Sequence, residues 1–139
     1  MYLLDSNVIS ELRDGKPKQS QIVRAWAAEQ LLSQLFLSST VILELERGIQ
    51  LLERRTPSQG QGLRRWLSDV TQQFDGRILP FTFKTAPICA SLHIPNPRSE
   101  RDAMIAAVAL EHRFSMVTRN TQDFEGTGLA LINPWLPIT

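Results

Sequence analysis

The sequence predicts an α/β fold: a central, mainly parallel sheet with helices on both faces. Three observations carry this. Short apolar runs recur along the chain, at Tyr2-Leu3-Leu4, Leu35-Phe36-Leu37, Ile78 to Phe81, Ser115 to Thr118 and Leu129 to Ile132. Between most of them lie longer stretches with apolar residues at helical spacing, and such alternation implies βαβ units. The first run stops abruptly at Asp5-Ser6-Asn7, ahead of Val8, Ile9 and Leu12, as a buried strand does when it feeds a helix. Right-handed crossovers put all strand C-termini on one edge, and ligands of open α/β sheets sit beyond that edge. Asp5 stands there. Aspartate is also a residue that caps a helix by accepting its free N–H groups, so the other acids decide its meaning.

Composition narrows the class of protein. The 139 residues read as one domain, 1–139, long enough for a substantial core. No uninterrupted apolar stretch approaches the roughly 20 residues that span a bilayer. No basic segment precedes the first apolar run, which argues against a secretion signal. The single cysteine, Cys89, excludes an internal disulfide and suits a reducing compartment. A cytoplasmic protein without membrane contact is expected. A formal net charge of +1 does not mark a nucleic-acid binder, so any such contact has to come from a local patch.

After the first strand and helix, Lys16 to Gln34 reads as one helix with Pro17 in its first turn and Ile22, Val23, Trp26, Ala27 and Leu31 at helical spacing. Ser38-Ser39-Thr40 ends the second strand and caps a helix over Val41 to Arg54. Val41, Leu45, Gly48, Ile49 and Leu52 form its apolar stripe, with Glu46 mainly on the wet side. Glu44 falls with the stripe. A buried carboxylate without a partner is costly, so Glu44 needs a cation, a hydrogen bond or a raised pKa. Thr56 to Gly62 reads as a loop or as a turn opening a helix through Leu63, Trp66, Leu67, Val70 and Phe74, which Asp75-Gly76 ends. Thr82 to Leu92 is weakly helical, and Ile94-Pro95-Asn96-Pro97 is a stiff loop. The helix from Ser99 to His112 is apolar nearly all round, hence central. Asp102 points inward from its first turn, and has capping-box spacing from Ser99. Arg119 to Phe124 forms the loop after the fourth strand, where Asp123 alone would be an ordinary turn residue.

Asp5, Asp102 and Asp123 therefore converge on one edge of the sheet, and Glu44 reaches it from the helix after the second strand. Four carboxylates gathered there repel one another, and an oxygen-rich site of this kind suits Mg²⁺ or Mn²⁺. Zinc is not expected, because His93 and His112 are the only histidines and neither forms a ligand pattern with Cys89.

Four segments, Asp5 to Ser10, Glu44 to Gly48, Arg98 to Ala107 and Thr118 to Phe124, together resemble the PIN-domain nucleases. Within these the chain is similar to the VapC-like (FitB-like) toxins of toxin–antitoxin pairs, from Met1 to Asn133-Pro134-Trp135. The resemblance implies a three-layer α/β/α sandwich and Mg²⁺- or Mn²⁺-dependent cleavage of RNA phosphodiesters. It also implies a homodimer, for which Trp26 or Trp66 would be anchors, and a cognate antitoxin as partner. Asp5, Glu44, Asp102 and Asp123 match the family's acidic positions, with Asp5 and Asp102 the leading metal ligands. Ser6 stands where Thr is frequent, and Asn120 where many relatives carry another Asp, which argues against a tightly held second ion. In the mechanism this implies, a metal-activated water attacks the phosphate. Ser6, Asn7, Thr118 and Asn120 orient the ligands, and Arg98, Arg101 and Arg119 contact substrate phosphate. Two rivals are an aspartyl-nucleophile phosphatase, which usually needs an Asp where Asn7 stands, and a catalytically silent module that only binds antitoxin or RNA.

Overall fold

A computed structural model describes residues 1–137; Ile138 and Thr139, the end of the expected 1–139 span, lie outside the described residues. The elements are β1 (Tyr2–Leu4), α1 (Ser6–Glu11), α2 (Gln21–Ala28), β2 (Leu35–Ser38), α3 (Ser39–Arg55), α4 (Pro57–Gln73), β3 (Ile78–Leu79), α5 (Thr85–Leu92), α6 (Glu100–His112), β4 (Ser115–Val117) and β5 (Leu131–Ile132). Short 3₁₀ turns occupy Leu32–Gln34 and Thr121–Phe124. The five strands form one sheet in the order β3-β2-β1-β4-β5, every pair parallel, flanked by the helices. The predicted fold class is the observed one. Among the described residues no helix is long and apolar enough to cross a membrane.

This order places the site. β1 is central, and Leu4 pairs with Val117 of β4, so Asp5 and Thr118 leave adjacent strands side by side. Leu3, Leu4, Leu37, Ile105, Met116 and Val117 are fully buried around the central strands. α6 buries Ala103 and every residue from Ile105 to Ala109, as an apolar helix near the core must.

The long helix expected over Lys16 to Gln34 is shorter. Gly15 and Lys18 have φ of +79° and 54°, so the chain turns there instead of starting a helix at Pro17. Ser20 is the cap, its hydroxyl accepting from the Val23 N–H, and the Glu11 carboxylate accepts from the Ser20 N–H. Glu11, which no sequence pattern singles out, is buried and also paired with Lys16. Strands β3 and β5 are also shorter than their apolar runs, and β3 stops ahead of Pro80, which has no N–H to extend a ladder. Trp26 lies edge-on to Tyr2, with ring centroids 5.5 Å apart. Both Trp26 and Trp66 pack against the core of their own chain.

The ambiguous stretch from Thr56 is helix: Pro57 sits at the start of α4, where its missing N–H costs nothing. The next residues let α4 approach α3 closely. A Cβ on Gly60 would stand 2.8 Å from the Glu53 Cα and 2.9 Å from its backbone N, whereas one on Gly62 meets nothing within 4 Å. Two similar-looking substitutions are therefore expected to act oppositely. Gly60→Ala collides with backbone that cannot yield, and overpacking of this kind costs about 1–3 kcal/mol, more than the gain in helix propensity. Gly62→Ala keeps only that gain, up to about 1 kcal/mol. Urea unfolding of both variants checks the pair, and equal shifts would contradict the close approach.

Candidate functional site

Asp5 ends β1 in extended conformation and is completely buried. Its Oδ1 accepts the Ser6 N–H at 2.7 Å, and its Oδ2 accepts the Thr118 hydroxyl, also at 2.7 Å. It is thus a helix cap and a site carboxylate at once. Thr118 Oγ1 in turn accepts the Asn120 N–H at 3.1 Å, and Asn7 Oδ1 accepts the Arg119 N–H at 3.3 Å. These bonds tie the start of α1 to the loop after β4.

Glu44 comes from the second turn of α3 and Asp102 from the first turn of α6. Both face the Asp5 edge, and what joins them is Arg101. Its Nη1 donates to Glu44 Oε2 at 2.5 Å and lies 3.6 Å from Asp5 Oδ1, while its Nη2 donates to Asp102 Oδ1 at 2.8 Å. A longer contact, 3.4 Å, reaches the Ser6 hydroxyl. Sequence reasoning expected this arginine to face substrate; its actual partners are the acids. The capping box expected between Ser99 and Asp102 is not formed, since Ser99 makes no side-chain cap bond and the Asp102 carboxylate is turned to Arg101.

The electrostatics follow from this crowding. Burial pushes the Glu44 carboxyl up, and the charges of Asp5 and Asp102 add to the shift while Arg101 opposes it. Asp102 is raised in the same way, by burial first, with Asp123 and Asp5 adding and Arg101 opposing. Asp123 is exposed at the rim, within the Thr121–Phe124 turn; its charge reaches Asp102 while its side chain stands outside the arginine cluster. Arg119 is exposed too, with its guanidinium 5.1 Å from the centre of the Trp135 ring. Arg98 is committed elsewhere: its Nε donates to the Leu92 carbonyl at the end of α5.

Ser6, Asn7, Ser10, Glu44, Arg101 and Asn120 line an open pocket of about 320 Å³ beside the cluster. The larger cavity, 840 Å³, lies away from the acids between α2 and α4, with an apolar floor including Leu12, Trp66 and Phe74. The smaller one, through Glu44 and Arg101, borders the carboxylates. Their donor set is all oxygen, which suits a hard divalent cation. Glu44 Oε1 is buried without a hydrogen-bond partner, which a cation would supply. With the guanidinium among the acids, no three ligating groups are close enough to share an ion among the described residues. The donors fit the ion; the position of Arg101 competes with it.

Residues 2–128 match the PIN domain family. The chain is 37% identical over 145 residues to VapC ribonuclease Y4jK of Sinorhizobium fredii, covering 99% of each chain. It is 33% identical over 140 residues to Toxin FitB of Neisseria gonorrhoeae, covering 97% of this chain and 99% of that one. It is similar to the crystal structure of FitAcB from Neisseria gonorrhoeae with a TM-score of 0.87, at 33% identity, over 97% of this chain and 99% of that one. The chain belongs to the PIN-domain family.

Proposed function

We propose that this chain is an endoribonuclease and the toxin of a toxin–antitoxin pair, hydrolysing RNA phosphodiesters with the help of Mg²⁺ or Mn²⁺. The observation that carries the reading is the meeting of Asp5, Glu44 and Asp102, from three separate elements, at the C-terminal edge of a parallel sheet. Family membership and full-length similarity to a VapC ribonuclease and to Toxin FitB support the activity and the toxin role. Asp5, Asp102 and Glu44 would hold the ion, with Asp123 completing the site from the rim. When bound, a divalent ion supplies a water of lowered pKa and offsets charge on the phosphate.

The chain's own groups do the positioning. The Ser6 N–H and the Thr118 hydroxyl fix the Asp5 carboxylate, and Asn120 fixes Thr118. Asn7 holds the backbone of Arg119, whose exposed guanidinium would be available to a phosphate. Asp123, exposed in the same loop, would orient the attacking water or take its proton. A single-domain chain acting in the cytoplasm, paired as a homodimer and restrained by an antitoxin, completes the proposal.

The test uses purified, antitoxin-free protein on single-stranded RNA. Cleavage is expected with Mg²⁺ or Mn²⁺, to stop in EDTA and to return with added ion. Cleavage unchanged by EDTA overturns the metal mechanism. Folded protein that cuts no RNA in the presence of either ion points to the silent module. Release of phosphate from monoesters without RNA cleavage points to the phosphatase.

A further inference from the structure

Arg101 lies against two of the carboxylates that the proposed ion would need and 3.6 Å from the third. It is not buried beyond recovery: its side chain is 34% exposed, and it forms part of the wall of the 320 Å³ pocket. Its single charge faces three carboxylates, so the cluster keeps a formal excess of negative charge. Glu44 Oε1 remains unpartnered even with the guanidinium in place. A divalent cation would compensate the acids better than one guanidinium does. It would need the guanidinium to leave first.

We propose that Arg101 is a resident counter-cation: it occupies the carboxylate cluster in the ion-free protein, and a divalent ion binds only by displacing it into the adjoining pocket. This rests on the metal-dependent reading above. Arg101 is then a positioning residue, holding Glu44 and Asp102 in place until the ion takes over. Apparent affinity falls by the fraction of time the competent state is populated. A guanidinium in place about nine-tenths of the time weakens ion binding about tenfold. The displaced side chain would border the pocket, within reach of a bound phosphodiester. Since coupling is reciprocal, a phosphodiester that attracts the guanidinium strengthens ion binding.

The test is Mn²⁺ titration by calorimetry on antitoxin-free wild type, Arg101→Ala, Arg101→Lys and the double variant Asp5→Asn/Arg101→Ala, with no substrate present. Arg101→Ala is expected to bind Mn²⁺ about tenfold more tightly or better, and methylguanidinium should weaken binding in this variant but not in wild type. A merely structural arginine would give neither result. Arg101→Ala is also expected to melt at lower temperature in EDTA and to recover with Mn²⁺, because its carboxylates lose their counter-ion. If it fails to fold without the ion, Arg101→Lys decides: tighter binding than wild type supports displacement, equal or weaker binding overturns it. Unchanged or weakened affinity in folded Arg101→Ala, with binding still lost in the double variant, overturns the inference and leaves the metal site standing. No Mn²⁺ binding by any folded variant overturns the metal reading and this inference with it.

Discussion

Asp5→Asn is expected to lower RNA cleavage by about a hundredfold or more, since it removes a charge from the ligand set proposed for the ion. The fold should survive. Asparagine keeps an oxygen for the Ser6 N–H, so the cap on α1 persists, but its amide nitrogen would face the Thr118 hydroxyl that now donates to Asp5 Oδ2. On sequence grounds alone, neutralising one of several crowded acids leaves stability unchanged or raised. The structure revises that expectation, because the charge lost also attracts Arg101 at 3.6 Å. A cost of about 1 kcal/mol in the absence of ion is expected instead. Were Asp5 only a cap, cleavage would stay near wild type. Glu44→Gln should behave likewise in activity. Glu46, the natural control from the sequence, is a poor one, since both its carboxylate oxygens accept from Arg64. Glu29 is exposed and makes no ion pair among the described residues, so Glu29→Gln is the better control. Cleavage rate and melting temperature measured on the same preparations separate the outcomes. Full activity in both Asp5→Asn and Glu44→Gln would refute the site.

Phe124→Ala should give the largest loss of stability, about 3–5 kcal/mol, a large share of the 5–15 kcal/mol that holds a typical domain together. Phe124 is 1% exposed and is the largest of the fully buried side chains. It belongs to the main core around the central strands, where deletion of a ring leaves a cavity that rigid strands and α6 cannot close. It is also the anchor of the 3₁₀ turn that presents Asp123. Its loss should therefore loosen the acidic rim before the sheet opens. The urea midpoint reads the first effect, and hydrogen exchange of residues 119–125 reads the second. A loss below about 1 kcal/mol would show that the site can collapse around the smaller side chain.

Much of this protein is decided locally, and that part was legible. The apolar runs, the turn at Asp75-Gly76 and the apolar character of α6 follow from burial and periodicity, which act over a few residues. The parallel sheet followed from their alternation, and the convergence of Asp5, Glu44 and Asp102 followed from the sheet, because crossover handedness fixes where strand ends meet. Local rules failed where a distant group supplied the missing bond. The turn before α2 depends on the Glu11 carboxylate reaching Ser20, and the expected Ser99–Asp102 cap gave way to Arg101. Arg101 is the plainest case. Its neighbour in sequence is an acid, but its other partners, Asp5 and Glu44, lie 96 and 57 positions away. A charged side chain chooses its partners by distance in space, after the core has set which helix ends face one another. The sequence by itself determined which residues form the acidic edge; only the tertiary structure decided that an arginine of the same chain stands among them.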